Sequence, residues 1–393
     1  MSLFKWSTPA RKRADHTLHL IPNEIYLHIF EYIAAPKGPL APEELAIFTK
    51  LSYVCRFFAN HCLARIFEYV EFSGSVFRDD TPTGLRHDAA HKPSRESTLC
   101  TQIAAKQSLA LAIAKTVRVC RFVNWRLDDT GSWAVQLFAN RFINAITHMK
   151  HLRELRFCNS FVDARHGNAI ATLGSLEKLV FDACNFVQAS THTNVSEDDG
   201  KRVQVSHLQV TRCTGNCQAI VAIHPRYLRT LVVDMTLAQH VDWLGQSALT
   251  ELHLRSNRVF FLTRDRYLER LPIILARAPE SLEVLSITFD DGLGTEYTPL
   301  RSFVQLLRSS DSDLPGAVVL ASVLDMIGRF TQLRSFTLKD HSVTFGPEMS
   351  SVEFRHILRD TLGPTSRLKC VDILGRVFRL VDREWSEVSY STA

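Results

Sequence analysis

Histidines and cysteines come first, because close pairs of them can hold a metal or supply a nucleophile. Cys213 and Cys217 are the one close cysteine pair, with His207 and His224 on either side. A structural zinc site calls for two tight pairs, so no metal is expected here. His148 with His151, and His87 with His91, have helical spacing that would put two ligands on one face. No third ligand is marked near either pair, and they read as surface or capping residues. The chain has nine cysteines. The odd number and the scatter argue against a disulfide framework. Most fall in apolar runs, where a thiol behaves as a small hydrophobe, and this suits a compartment that keeps thiols reduced.

Other chemistry is missing from the motifs. There is no glycine-rich phosphate loop with a following Lys-Ser/Thr, no His-Glu-x-x-His and no Gly-x-Ser-x-Gly. Asp290-Asp291-Gly292, with Gly294 and Glu296, is acidic but lacks the ligand spacing of a calcium loop and reads as a turn. The expectation is a protein that is not an enzyme and needs no cofactor. Charge narrows the partners. The 46 basic and 41 acidic residues leave a net +5, too near balance for a nucleic-acid footprint. The only dense basic cluster, Arg11-Lys12-Arg13, reads as a solvated tail, with nuclear import as the alternative. No run approaches the ~20 apolar residues of a membrane span. Lys5 and Arg11 to Arg13 interrupt any signal-peptide core. A cytoplasmic or nuclear protein is expected.

The elements that would position any functional residue follow from periodicity. At 393 residues the chain suits two or three domains, or one small module joined to a solenoid. Residues 1–17 are polar and aperiodic, a flexible tail. Pro22 suits a first helical turn and Glu24 opposes the helix dipole. Ile25, Ile29 and Ile33 then recur four apart, until the breakers Pro36 to Pro39. A second helical stretch runs from Pro42 through Leu45, Phe48, Leu51, Val54, Cys55, Phe58 and Cys62, with a kink or restart expected near residue 50. The result is a three-helix module over 18–72. Residues 73–97 hold Gly74, Pro82, Gly84 and Pro93 among charges and read as a loop or linker. Spacing alone leaves open whether Ile25 and Ile29 face a partner or only fill a small core.

Residues 98–393 read as one irregular repeat domain. One pattern recurs there, apolar at positions one, four and six with polar residues between. Its cleanest copies are Leu152/Leu155/Phe157, Leu176/Leu179/Phe181 and Leu249/Leu252/Leu254. Weaker copies begin at Val117, Val205, Leu228, Leu282, Leu333 and Leu368. With 46% hydrophobic residues, three fixed positions are all apolar in roughly one window in ten by chance. The set rises above that because Leu fills position one in seven of nine copies. The copies also alternate with amphipathic helical segments around Val135–Met149, Tyr267–Ala278 and Phe354–Leu362. Spacing between copies runs from 21 residues (228 to 249) to 51 (282 to 333), so insertions are expected. The fold class is α/β: a small three-helix module, then an irregular leucine-rich-repeat-like solenoid of strands and helices.

Leu20-Ile-Pro-Asn-Glu-Ile-Tyr-Leu-His-Ile-Phe-Glu-Tyr-Ile33 resembles the opening helix of an F-box, and Leu51-Ser-Tyr-Val-Cys-Arg-Phe-Phe58 resembles its Val-Cys-Arg segment. Together with the repeats, the chain resembles F-box proteins with degenerate leucine-rich repeats, a group abundant in fungi. The resemblance implies a Skp-type adaptor as partner and, through it, a cullin–RING ubiquitin ligase. It implies adaptor contacts at Leu20, Ile21, Pro22, Ile25, Ile29, Val54, Cys55 and Phe58, with Ile33 left to the core. Two departures stand out: the Ala34–Pro42 insert is longer than the usual turn, and Phe58 stands where many members have Trp. The repeats would hold an unidentified protein client. Strand alternation would turn positions three, five and seven outward. That track presents Glu154, Arg156, Lys178, Asp182, His207, Gln209, Asp234, Glu251, His253 and Arg255, a mixture of signs suited to a protein rather than a phosphate backbone. The alternative is a leucine-rich-repeat interaction scaffold with no ubiquitin role.

Overall fold

The structure is a computed structural model. It describes residues 23–33, 38–73, 95–125, 133–187, 202–215, 223–238, 241, 244–256, 264–289, 324–340, 351–362, 367–373, 376–382 and 384–388, and every statement below concerns these. The chain divides into two compact units: residues 1–177 with 185–203 and 219–221, and residues 178–184 with 204–218 and 222–393.

The first unit opens with three helices, α1 (Asn23–Ile33), α2 (Pro42–Ser52) and α3 (Arg56–Ile66). Pro42 starts α2, where a missing N–H costs nothing, and Glu44 reaches back to accept the Ala41 N–H at 2.7 Å. The expected restart near residue 50 falls at Tyr53–Cys55. There Tyr53 and Val54 donate their N–H groups to Lys50 and Leu51, and the Cys55 carbonyl accepts the first bond of α3. Phe30, Phe48 and Cys62 form the small core, with Tyr26, Ile33, Leu51, Phe57 and Phe58 packed against it. Phe30 meets Phe58 edge-on at 5.1 Å.

Three parallel strands follow in the same unit: β1 (Tyr69–Ser73), β2 (Val119–Val123) and β3 (Glu154–Cys158). Helices α4 (Arg95–Ala104), α5 (Ser108–Ala114), α6 (Trp133–Ile146) and α7 (Ala164–Ile170) lie between or after them. Helix α4 begins inside the segment read as a loop; residues 74–94 of that loop lie outside the described residues. A short parallel pair, β4 (Phe161–Val162) and β6 (Asn185–Phe186), completes the unit's strands.

The second unit holds a large, mostly parallel sheet. Its parallel strands are β5 (Lys178–Asp182), β7 (His207–Thr211), β8 (Thr230–Asp234), β9 (Glu251–Ser256), β10 (Val284–Phe289), β11 (Ser335–Asp340) and β12 (Cys370–Ile373), each paired with the next. Helices include α8 (Met235–Ala238), α9 (Arg264–Arg277), α10 (324–328) and α11 (Ser351–Leu362). An antiparallel hairpin, β13 (Arg376–Val381) and β14 (Glu384–Val388), ends the sheet, which the repeat pattern did not foresee. The chain is therefore a mixed α/β protein, and none of its sheets closes into a barrel.

All nine apolar copies are strands, and no apolar position of any copy is more than 4% exposed. Cross-strand register stacks them like with like. Leu179, Leu208, Leu231, Leu252, Leu285, Phe336 and Val371 form one row, and Phe181, Val210, Val233, Leu254, Ile287, Leu338 and Ile373 the next. In the first unit Val70 aligns with Cys120 and Leu155, and Phe72 with Phe122 and Phe157. Phe67/Val70/Phe72 is thus a tenth copy that the sequence reading passed over.

The turn after the strand repeats too. Position eight of four copies, Asn124, Asn159, Ala183 and Arg212, takes a left-handed φ of 53° to 62°. Ala183 and Arg212 adopt it against their Cβ preference, which costs about 1–2 kcal/mol each. The turn is held from the next copy: Asn124 donates its N–H to the Cys158 carbonyl at 3.0 Å, and Ala183 to Thr211 at 2.8 Å. Position nine then points inward as Trp125, Ser160, Cys184 and Cys213, all buried. The Trp125 N–H donates to Ser160 Oγ at 3.3 Å, and the Cys184 N–H to Cys213 Sγ at 3.4 Å, so the same bond joins successive copies in each unit.

Candidate functional site

Two kinds of surface carry the candidate residues: the helices α1–α3, and the outward face of the strands. On the helices, Leu20, Ile21 and Pro22 lie outside the described residues. Ile25 and Ile29 are 48% and 46% exposed, and Val54 is 63% exposed at the α2–α3 break. Cys55 is exposed beside it. Phe58 behaves differently. It is only partly buried, yet its ring packs on Phe30 and Tyr26, so most of its contact is with the module's own core. Tyr32, Leu45, Ile47 and Tyr53 are also exposed on these helices or at the α2 end, and of these the sequence marks only Leu45, as an apolar helix position and not as an adaptor contact. Periodicity groups residues by face but cannot say which face another element covers.

Along most strands, outward residues alternate with the buried rows, as pleating requires, but Val180, Thr211 and Val232 have outward parity and are buried as well. Glu154 and Arg156 form an ion pair with each other on β3. Arg121 on β2 lies in register with Arg156 and is paired with Glu71 at 3.2 Å, which offsets the repulsion of two adjacent cations. In the second unit, Lys178, His207, Thr230 and Glu251 share one cross-strand row, and Gln209, Val232 and His253 the next. Asp182 accepts from Arg212 Nε at 2.9 Å and from the Thr211 hydroxyl at 2.9 Å. Glu251 accepts from the Thr230 hydroxyl at 3.2 Å and lies 3.8 Å from His253 Nε2. Burial lowers the His253 pKa, and Glu251 beside it opposes the shift. Arg255 is exposed.

Asp234 corrects one expectation. Read as part of the open track, it is instead 2% exposed, and its carboxylate accepts the backbone N–H of Arg212. The left-handed turn at Arg212 leaves that N–H in need of an acceptor, and Asp234, one strand over, supplies it.

The metal and catalytic readings also have places. Cys217, His87, His91 and the acidic Asp290–Glu296 segment lie outside the described residues. Among the described residues no cluster of three or more His, Cys, Asp or Glu could hold a metal. His166, Asp163 and Ser160 lie close together in the first unit, a set of residue types that can do acyl transfer. Here they do something else. Asp163 is the N-cap of α7 and accepts the Arg165 N–H at 3.0 Å, with His166 Nδ1 2.8 Å from its carboxylate. Burial alone would raise the Asp163 pKa, but hydrogen bonds from His166 and Arg165 hold it well below the usual carboxylate range. Ser160 donates to the Cys158 carbonyl at 2.9 Å. The cleft that Ser160 and His166 share with Trp125, Phe142 and Phe161 is no larger than about one water molecule, so it has no room for a substrate.

These features define the class: a mixed α/β protein with a buried strand ladder, a polar outward face and a small helical module with exposed apolar side chains. No family model matches the chain, and no curated protein matches it. No helix among the described residues is long and apolar enough to cross a membrane.

Proposed function

We propose that the chain is a substrate-recognition adaptor of a Skp–cullin–F-box ubiquitin ligase. Helices α1–α3 act as an F-box that docks on a Skp-type adaptor, and the strands act as irregular leucine-rich repeats that hold a protein client. The observation that carries this reading is the exposure of Ile25 and Ile29 on α1 and of Val54 at the α2–α3 break, in the segments whose sequence resembles an F-box. A module of this size that leaves several large apolar side chains in water gains by burying them on a partner. Position nine supports the repeat half. Regular leucine-rich repeats carry Asn or Cys there, and Ser160, Cys184 and Cys213 occupy it, buried and bonded to backbone.

The chain makes and breaks no bond in this mechanism. It raises the effective concentration of a client near a ubiquitin-carrying enzyme, in the cytoplasm or nucleus. The test is co-purification of the full chain with a Skp-type adaptor. Ile25→Asp/Val54→Asp is expected to abolish capture while the thermal melt stays within a few degrees of wild type. Wild-type capture by the double variant would sink the adaptor half and leave a leucine-rich-repeat scaffold with no ubiquitin role.

A further inference from the structure

The outward face of the second unit is not uniform. Strands β10 and β11 present only short side chains along most of their length: Val284, Ser286 and Thr288 on one, Ser335 and Thr337 on the other, all half-buried. Register sets Val284 beside Ser335 and Ser286 beside Thr337. The strands on either side carry longer groups, β9 along its length and β12 at Asp372, while the short Cys370 of β12 stands beside Ser335. On β9 the longer groups are Glu251, His253 and Arg255, in register with Val284, Ser286 and Thr288. On the far side Asp372 of β12 stands beside Thr337, and Lys339, at the end of β11, reaches its carboxylate at 3.6 Å. The result is a shallow groove with a hydroxyl-lined floor and charged walls. From β9 to β12 is three strand spacings, about 14 Å, wide enough for one extended chain.

We propose that this groove on strands β9–β12 docks an extended, charge-polarised segment of a protein client. The polarity comes from the walls. Glu251 stands at the end where the strands begin, and Arg255 stands at the end where they finish, in one row with Thr288 and with Lys339, whose charge Asp372 offsets. Glu251 and Arg255 are four residues apart, about 13 Å along a strand. The complementary segment carries a cation over Glu251 and a carboxylate over Arg255, so in extended form its charges fall four residues apart. Ser286, Thr288, Ser335 and Thr337 can each donate and accept a hydrogen bond, which suits a peptide backbone lying over the floor. An amphipathic helix fits poorly, since Val284 is the only apolar side chain on the floor. A nucleic acid fits poorly as well, since both charge signs line the walls.

The inference rests on the client half of the proposed function and is independent of the adaptor half. It is tested on the full chain, without adaptor, by selecting binders from a library of random linear peptides. Affinities of the selected peptides are then measured by fluorescence anisotropy. The expected binders carry Lys or Arg and Asp or Glu four residues apart. Ser286→Trp, which fills the floor, is expected to weaken them about tenfold or more. Glu251→Arg/Arg255→Glu, a swap of half-exposed and exposed side chains that leaves the floor intact, is expected to weaken the same peptides by a similar factor. Three results would each overturn the groove: no peptide enriched, binders without the charge pair, or wild-type affinity for both variants. Because no adaptor is present, any of these leaves the helical docking surface standing, and loss of adaptor capture leaves the groove standing.

Discussion

The inward–outward alternation of the strands underlies both the repeat reading and the client face, and two neighbouring residues of β3 test it. Phe157 is 1% exposed. Its ring stacks on Phe122 at 5.1 Å and 14° and meets His166 edge-on at 5.6 Å. Arg156, one residue earlier, is 39% exposed and pairs with Glu154. Phe157→Ala removes most of a buried aromatic ring, which at ~25 cal/mol per Å² and with the cavity left behind costs about 3–5 kcal/mol. Arg156→Ala removes a partly exposed ion pair worth about 0–1 kcal/mol. With a urea slope of ~2 kcal/mol/M, the first substitution lowers the midpoint of the affected transition by about 2 M and the second by less than about 0.5 M. The assay is urea denaturation followed by circular dichroism. Hydrogen exchange on peptides covering Val119–Val123 and Glu154–Cys158 confirms that the loss lies in the first unit. Near-equal costs for the two substitutions, or a cost under about 1 kcal/mol for Phe157→Ala, would refute the alternation and with it the outward track.

Two further outcomes follow from the ionisable groups. Cys55 is exposed, whereas burial pushes the Cys62 thiol up to about 11 and holds Cys100 and Cys120 well above the ordinary thiol value, which starves all three of thiolate at neutral pH. An alkylating reagent at pH 7.5 (about neutral for this purpose) is expected to label Cys55 well before Cys62, Cys100 and Cys120, as read by mass spectrometry, and equal labelling would mean the buried thiols are not buried. At the end of the second sheet, the Arg376 hydrogen bond holds the Glu387 carboxyl down to about 2, with Ser351 adding to it. A depressed folded value means stability that is present above the unfolded carboxyl pKa and is lost as pH falls from about 4.5 towards 2. Glu387→Gln is therefore expected to cost about 1 kcal/mol at pH 7, discounted for solvent screening, and almost nothing near pH 2. A pH-independent cost, measured by thermal denaturation across that range, would count against the ion pair.

Much of the strand array was legible in the sequence. Three apolar positions at fixed spacing, repeated nine times, marked nine strands, because a residue must alternate faces in a strand and one face of this sheet is buried. The tenth copy was missed because it directly follows three helices, which absorbed Phe67 as their last turn. The β13–β14 hairpin was missed for a different reason. Its residues pair antiparallel and carry no copy of the pattern. Position nine was hidden by residue type. Ser160, Cys184 and Cys213 look like fillers until their bonds to the turn backbone are seen.

The candidate site was legible only in part. Sequence named Ile25, Ile29 and Val54 as apolar, but could not say that they stay exposed while Phe58 turns to Phe30. It placed Asp234 outward by parity, yet the nearby left-handed turn at Arg212 draws that carboxylate inward. The groove on β10 and β11 needed register as well as parity, since short residues 51 positions apart, such as Ser286 and Thr337, become neighbours only when the strands pair.

The sequence by itself determined the two apolar rows that are buried along the strands and the breaks that separate the helices of the first module. Both follow from local periods and local hydrogen-bond chemistry. Tertiary structure alone decided which apolar helix residues remain in water, which polar groups satisfy a turn, and which short side chains line up into a floor. Those outcomes depend on contacts between residues far apart in the chain, and a single strand or helix carries no record of its neighbours.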